Sequence, residues 1–179
     1  MENKASQSGF TLVELMIVIA ILGIIAAIGS TTLLVQLPAM RLKSAARDIA
    51  STMMEAKTAA IQRGVNVTVL FNTPVNGYSM FLDSGTGIVA NDNNEVIDLP
   101  GETVLSVQPA LPVGVSFNGA TTFANNALVF TQRGIPVDAV TGGLGNGIVN
   151  LRVVDSSGNT LRQRTIAVSS AGSIRIDSN

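Results

Sequence analysis

From Leu15 to Met40 the chain carries no charged side chain, and this limits its folding choices more than any other feature. The stretch opens at Ser8-Gly9-Phe10-Thr11-Leu12-Val13-Glu14-Leu15 and stays almost wholly apolar through Ile28. At about 1.5 Å rise per residue, some 20 helical residues cross a ~30 Å hydrocarbon core, and a helix satisfies its own backbone groups there. The run is therefore long enough to span a membrane. One carboxylate, Glu14, stands beside it. A charged acid at a bilayer centre costs roughly 3 kcal/mol, so such groups tend to be paired and functional. Spacing alone leaves two readings of Glu14 open. It is an interfacial acid complementing the positive end of a helix dipole, or a charge that waits for a partner.

Gly9-Phe10-Thr11-Leu12-Val13-Glu14 resembles the class III signal of type IV prepilins and type II secretion pseudopilins. The resemblance implies that residues 1–9 are a prepilin leader. A prepilin peptidase would cut between Gly9 and Phe10, and the new amino terminus of Phe10 would be N-methylated. It also puts Glu14 at the family's glutamate position, with an implied role in assembly: pairing with the freed Phe10 amine of a neighbouring subunit. Opposite charges in a low-dielectric filament core attract strongly and need each other.

A secretory signal peptide is the rival for this end of the chain. Such a signal places its small-residue cleavage site after the apolar segment. Here Ser8-Gly9 precede it, and Gly29-Ser30 after Ala26-Ala27 is only a weak alternative cut. Charge counting points the other way. Lys4 and the initiating amine, opposed by Glu2, precede the run, whereas Arg41, Lys43 and Arg47 follow it. The positive-inside rule thus favours the orientation opposite to the one that the prepilin resemblance implies.

The chain has 179 residues, enough for one domain plus an anchor. It contains no cysteine, which removes disulfides, thiolate zinc sites and thiol nucleophiles, and no histidine, which removes imidazole acid–base and metal chemistry. The net charge of −1 offers no whole-chain attraction to nucleic acid.

Taken in order, residues 10–38 read as a transmembrane or filament-core helix. Pro38 removes a ladder donor and biases Leu37 away from helical geometry, so a kink or break is expected there. Residues 39–64 read as an amphipathic helix. Leu42, Ala45, Ala46, Ile49, Met53, Ala56, Ala60 and Ile61 recur at three- and four-residue intervals, Met53-Met54 read as core, and Gly64 is the stop. Residues 65–179 read as a β-rich globular domain. Strands are expected at 66–71, 78–82, 96–99, 103–107, 113–117, 127–131, 148–154, 161–168 and 173–176, with turns at Asn76-Gly77 and Ser157-Gly158-Asn159. The expected fold is α+β: a long N-terminal helix packed on an antiparallel β-sheet domain.

Three later stretches resemble the GspH/FimT group of minor pseudopilins. They are Arg47 through Gly64, ending Ala60-Ile61-Gln62-Arg63-Gly64; Phe130-Thr131-Gln132-Arg133-Gly134-Ile135-Pro136, after Val65–Phe71; and Val168-Ser169-Ser170-Ala171-Gly172-Ser173-Ile174-Arg175-Ile176. The resemblance implies a structural subunit in the inner membrane with a periplasmic C-terminal domain. It would later join a pseudopilus or pilus, at or near its tip.

Other candidates are weaker. Asp92-Asn93-Asn94-Glu95 has calcium-ligand residue types without EF-hand spacing, in an acidic segment of Asp83, Asp92, Glu95, Asp98 and Glu102. The stretch 141–147, rich in glycine, lacks the lysine and hydroxyl of a phosphate loop and reads as a flexible loop. Ser169-Ser170 has no nearby base, and Asn66-Val67-Thr68 is a sequon on an expected strand. No enzyme activity, metal or cofactor is expected.

Arg152, Arg162, Arg164 and Arg175 crowd the C-terminal end, and arginine clusters suit phosphate backbones. FimT-type transformation pilins carry a Gly-Arg-x-Arg DNA-binding element near this end. Gly172-Ser173-Ile174-Arg175 keeps the glycine and the second arginine of that element and loses the first. Arg162, Arg164 and Arg175 are thus candidate DNA contacts for an alternative function, DNA capture in transformation. The expected partners are the inner membrane, the prepilin peptidase, other pilin or pseudopilin subunits and, in the alternative, DNA.

Overall fold

The computed structural model describes residues 10–83, 103–108, 110–154 and 157–178; the side chains of residues 27–35 and 178 are outside the description. The chain divides into two compact units, Met1–Leu37 and Pro38–Asn179.

Helix α1 runs from Leu12 to Arg63, 52 residues, with Pro38 inside it. The break expected at Pro38 is therefore not a helix end. Proline removes one backbone bond and clashes with the turn before it, at about 3 kcal/mol. The helix resumes because the turns after Pro38 have an apolar face to bury. The unit boundary nevertheless falls at that residue. Gly64, with φ +67°, ends the helix, and its N–H closes on the Ala60 carbonyl at 3.0 Å. This is the left-handed terminus that glycine adopts without steric penalty.

Within the second unit, Leu42, Ala45, Ala46, Ile49, Met53, Ala56 and Ala60 are buried, as their spacing predicts, and Ala50 joins them. Two expectations fail on this helix. Ile61 is 52% exposed and Met54 53% exposed. Each sits about 100° round the wheel from a buried neighbour, Ala60 or Met53, and so turns off the core stripe.

The strands are β1 (Asn66–Asn72), β2 (Gly77–Asp83), β3 (Thr103–Gln108), β4 (Val115–Phe117), β5 (Ala127–Phe130), β6 (Pro136–Asp138), β7 (Gly147–Val154), β8 (Thr160–Val168) and β9 (Ile174–Ser178). They form a five-stranded sheet, β3-β2-β1-β5-β6, and a four-stranded sheet, β4-β7-β8-β9. All pairings are antiparallel. The strand expected at 96–99 lies outside the described residues. The one expected at 113–117 is shorter, because Pro112–Gly114 make a turn, with the Val115 N–H on the Pro112 carbonyl at 2.9 Å and Gly114 at φ +85°. Strand β6 was not expected; it is short and begins with a proline, which is tolerated on an edge strand.

One hydrophobic cluster joins the helix face to both sheets, with Val67, Val69 and Phe71 of β1, Phe130 of β5, Leu151 of β7 and Ile166 of β8 all 2% exposed or less. Phe71 stands among three other rings, Tyr78, Phe117 and Phe123, with centroids 6.1–6.4 Å apart. Burial raises the pKa of the Tyr78 hydroxyl, against a smaller opposing effect of its hydrogen bond with Thr52 on α1. The α+β, pilin-like architecture is as the sequence implies.

Candidate assembly and processing site

The N-terminal site is built by the first turn of α1. Thr11 precedes the helix, and its hydroxyl accepts the Glu14 backbone N–H at 3.2 Å while its carbonyl accepts that of Leu15 at 3.2 Å. Thr11 is thus a helix cap, and Thr11-Leu12-Val13-Glu14 has the spacing of a capping box. The sequence contained that signal, and the capping role of Thr11 was not read from it. Glu14 is exposed in the first helical turn, where a carboxylate complements the helix dipole. Gly9 lies outside the described residues.

Around Glu14 the apolar side chains are uncovered on every side of the helix. Phe10 is 80% exposed, Leu12 74%, and the large residues from Val13 to Ile25 range from 43% to 65%. Among the described residues no helix is long and apolar enough to cross a membrane; the uncharged run includes residues 27–35, whose side chains are not described.

A second constellation joins the three stretches that carry the resemblance to the GspH/FimT group. At the β5–β6 connection, Thr131 N–H bonds the Ile135 carbonyl, Gly134 N–H bonds the Thr131 carbonyl, and Ile135 N–H bonds the Thr131 hydroxyl. At the β8–β9 connection, Ser169, Gly172 and Ser173 repeat all three bonds. The two glycines sit at φ +72° and +74°, conformations that other residues adopt only with strain. The turns also abut. A Cβ on Gly172 would lie 3.0 Å from the Gly134 carbonyl oxygen, and one on Gly134 would lie 2.7 Å from Ile61 Cδ1. Lys57 Nζ donates to the Gly172 carbonyl at 3.0 Å. One hairpin turn from each sheet and the last turns of α1 thus meet at a single corner. Sequence reading found the three stretches separately and missed that they converge; the shared hydroxyl-x-x-Gly spacing was the available signal.

The arginines are not gathered. Arg162 and Arg164 do share a face of β8, as their spacing predicts, opposite Val153 and Leu151 of β7. Arg175 pairs with Ala167 of β8 and so points to the other face. It is also held by Asp177, with Nη2 and Nε at 3.0 and 3.1 Å from one carboxylate oxygen. Arg152 lies opposite Gln163, on the same face as Arg175.

Asp83 is buried at the end of β2, 2% exposed, and accepts a bond from Thr68 at 3.4 Å. The rest of the acidic segment, with Asp92–Glu95, lies outside the described residues. Among the described residues no cluster of acids assembles a metal site. The sequon residues Val67 and Thr68 are fully buried in β1.

The glycine-rich loop leads into strand β7, as expected, but it is held in place. Asp138 Oδ1 accepts the Val140 and Thr141 N–H groups and the Thr141 hydroxyl, at 2.8–3.1 Å. These bonds hold the Asp138 carboxyl below its ordinary pKa. Gly145 N–H bonds the Pro136 carbonyl at 2.9 Å.

Known proteins share the sequence pattern and the fold of this chain. Residues 45–172 match the family described as type II transport protein GspH, and residues 4–30 match the prokaryotic N-terminal methylation motif. No curated protein matches the chain. Among solved structures it is similar to the minor pseudopilin EpsH from the type 2 secretion system of Vibrio cholerae, with a TM-score of 0.54 and 11% identity over 77% of this chain and 97% of that one. It is similar too to the type IV minor pilin FimU of Pseudomonas aeruginosa, with a TM-score of 0.52 and 16% identity over 76% of this chain and 87% of that one. At such identities the likeness is one of fold; the family match spans most of the sequence, and the chain belongs to the GspH family of type II transport proteins, structural subunits of the pilin and pseudopilin kind.

Proposed function

We propose that this subunit waits in the inner membrane as a single-pass protein with its C-terminal domain in the periplasm. Prepilin peptidase cuts it between Gly9 and Phe10, Phe10 is N-methylated, and the apolar half of α1 then moves into a filament core. There Glu14 pairs with the Phe10 amine of a neighbouring subunit, and the β-rich domain faces outward at or near the filament tip. The observation that carries this reading is the uncovered apolar surface of residues 10–26 around one exposed carboxylate. Apolar area of that extent is buried in lipid or in protein.

Processing and assembly are tested separately. Gly9→Ala should leave the leader on, and mass spectrometry of the native N-terminus reads this directly; normal maturation of that variant removes the assigned cut. Glu14→Ala should mature normally and fail to enter filaments. Incorporation at the wild-type level would remove the pairing role of Glu14.

The alternative, DNA capture, gains no support from the geometry, since Arg175 is paired with Asp177 on the face opposite Arg162 and Arg164. A mobility shift of DNA at low salt, lost in Arg162→Ala/Arg164→Ala, would revive it.

A further inference from the structure

The proposed orientation leaves Arg41, Lys43 and Arg47 on the side of the apolar run that positive-inside counting disfavours. The structure shows where these cations stand. Lys43 and Arg47 are exposed and four residues apart, so they lie on the same helix face, where like charges repel by a few tenths of a kcal/mol. Among the described residues Arg175 pairs with Asp177, elsewhere in the fold. The one described acid on this part of the helix, Asp48, accepts a bond from Ser44 at 3.4 Å.

Arg41 Nη1 donates to the Val113 carbonyl at 3.2 Å. That bond brings the Pro112–Gly114 turn beside the helix, with the Val113 side chain 82% exposed. The same end of the four-stranded sheet carries a further cation. Val115 lies opposite Val153, and Val153 lies opposite Arg162, which is exposed. Met40, on the stripe of Lys43 and Arg47, is 63% exposed. This end of the second unit is thus a collar of cations around isolated apolar tips.

We infer that this collar rests on an anionic phospholipid surface while the subunit is still in the membrane. This deepens the membrane-anchored reading above and rests on it. The chemistry is that of juxtamembrane basic segments, in which lysine and arginine headgroups meet phosphates while short apolar side chains enter the interface. Arg41 directly follows the uncharged run in the sequence. The contact orients the globular unit and gives these cations anionic partners in the headgroup phosphates. On leaving for the filament, the subunit gives this contact up.

The chain has no cysteine, so single cysteines can carry a fluorophore. The full-length protein is reconstituted into phosphatidylcholine vesicles with or without phosphatidylglycerol, each containing a nitroxide-headgroup quencher. Probes are placed at Val113→Cys, at Ser170→Cys on the opposite corner, and at Ala20→Cys within the apolar run.

Quenching at position 113 should require phosphatidylglycerol and vanish in high salt. It should weaken roughly fivefold per cation removed in the series Arg41→Gln, Lys43→Gln, Arg47→Gln. Position 170 should stay unquenched throughout. Equal quenching at 113 and 170, or quenching at 113 that ignores lipid charge, salt and the glutamine series, overturns the inference while a strongly perturbed probe at position 20 keeps the anchor intact. A position 20 probe that behaves as in free solution sinks the anchor, and the contact with it.

Discussion

The two halves of α1 are one continuous helix with opposite relations to the rest of the chain. Before Pro38, the large side chains from Phe10 to Ile25 are exposed and almost all aliphatic. After it, Leu42, Ala45, Ala46, Ile49 and Met53 are at most 1% exposed against two sheets. The first half carries its hydrophobicity all round, and the second confines it to a stripe. An all-round apolar helix must find its partner outside the chain, in lipid or in other subunits, whereas a stripe is satisfied by one packed face. The stripe is also rich in alanine, which lets strands approach the helix axis closely, while the first half is built of Ile, Leu and Val. One half is therefore a folding element; in the proposed function the other is the assembly element.

The sharpest way to break this comparison is a matched pair of truncations. Met53→Ala should cost about 2–5 kcal/mol of domain stability. Ile17→Ala should leave that stability within about 0.5 kcal/mol. Urea unfolding of both full-length variants in one detergent checks this, and equal losses would erase the distinction. Next in size, Gly172→Ala should destabilise the corner by about 1–2 kcal/mol from its left-handed backbone alone, with more from the 3.0 Å approach to the Gly134 oxygen. Smaller again, Lys57→Met keeps the stem and loses the bond to the Gly172 carbonyl, a loss of about 1 kcal/mol.

The smallest effect is confined to the glycine-rich loop. Bonds from Thr141 and Val140 lower the Asp138 pKa in the folded state. Their stabilisation is present above the ordinary aspartate pKa and fades as pH falls through the lower, folded value. Hydrogen exchange at Val140 and Thr141 should therefore quicken in acid, relative to the intrinsic rate, below about pH 4. Asp138→Asn should show no such step. A wild-type profile without the step would separate the loop geometry from its charge.

Much of this was legible in residue order because it depends on local periods. The helix stripe, the Gly64 stop and strands β1, β2, β7 and β8 each follow from a repeat of about 3.6 or 2 residues and from turn chemistry. Three kinds of feature were not legible. Ile61 and Met54 match the apolar pattern, yet exposure depends on how wide a face the sheets cover. Strand β6 is too short for a period, and it exists because Val129 and its neighbours offer an edge. The shared face of Arg162 and Arg164 was readable within one strand, but the position of Arg175 across the sheet is a matter of cross-strand register.

Residue order alone determined the apolar run, its lone acid, the leader-like segment before it and the alternation of strands, since each is a property of neighbours in sequence. Tertiary structure decided that the helix continues past Pro38, that two hairpin turns meet Lys57 at one corner, and that Arg41 meets Val113. These depend on contacts between residues far apart in the chain, whose energies exist only once both sheets have closed on the helix.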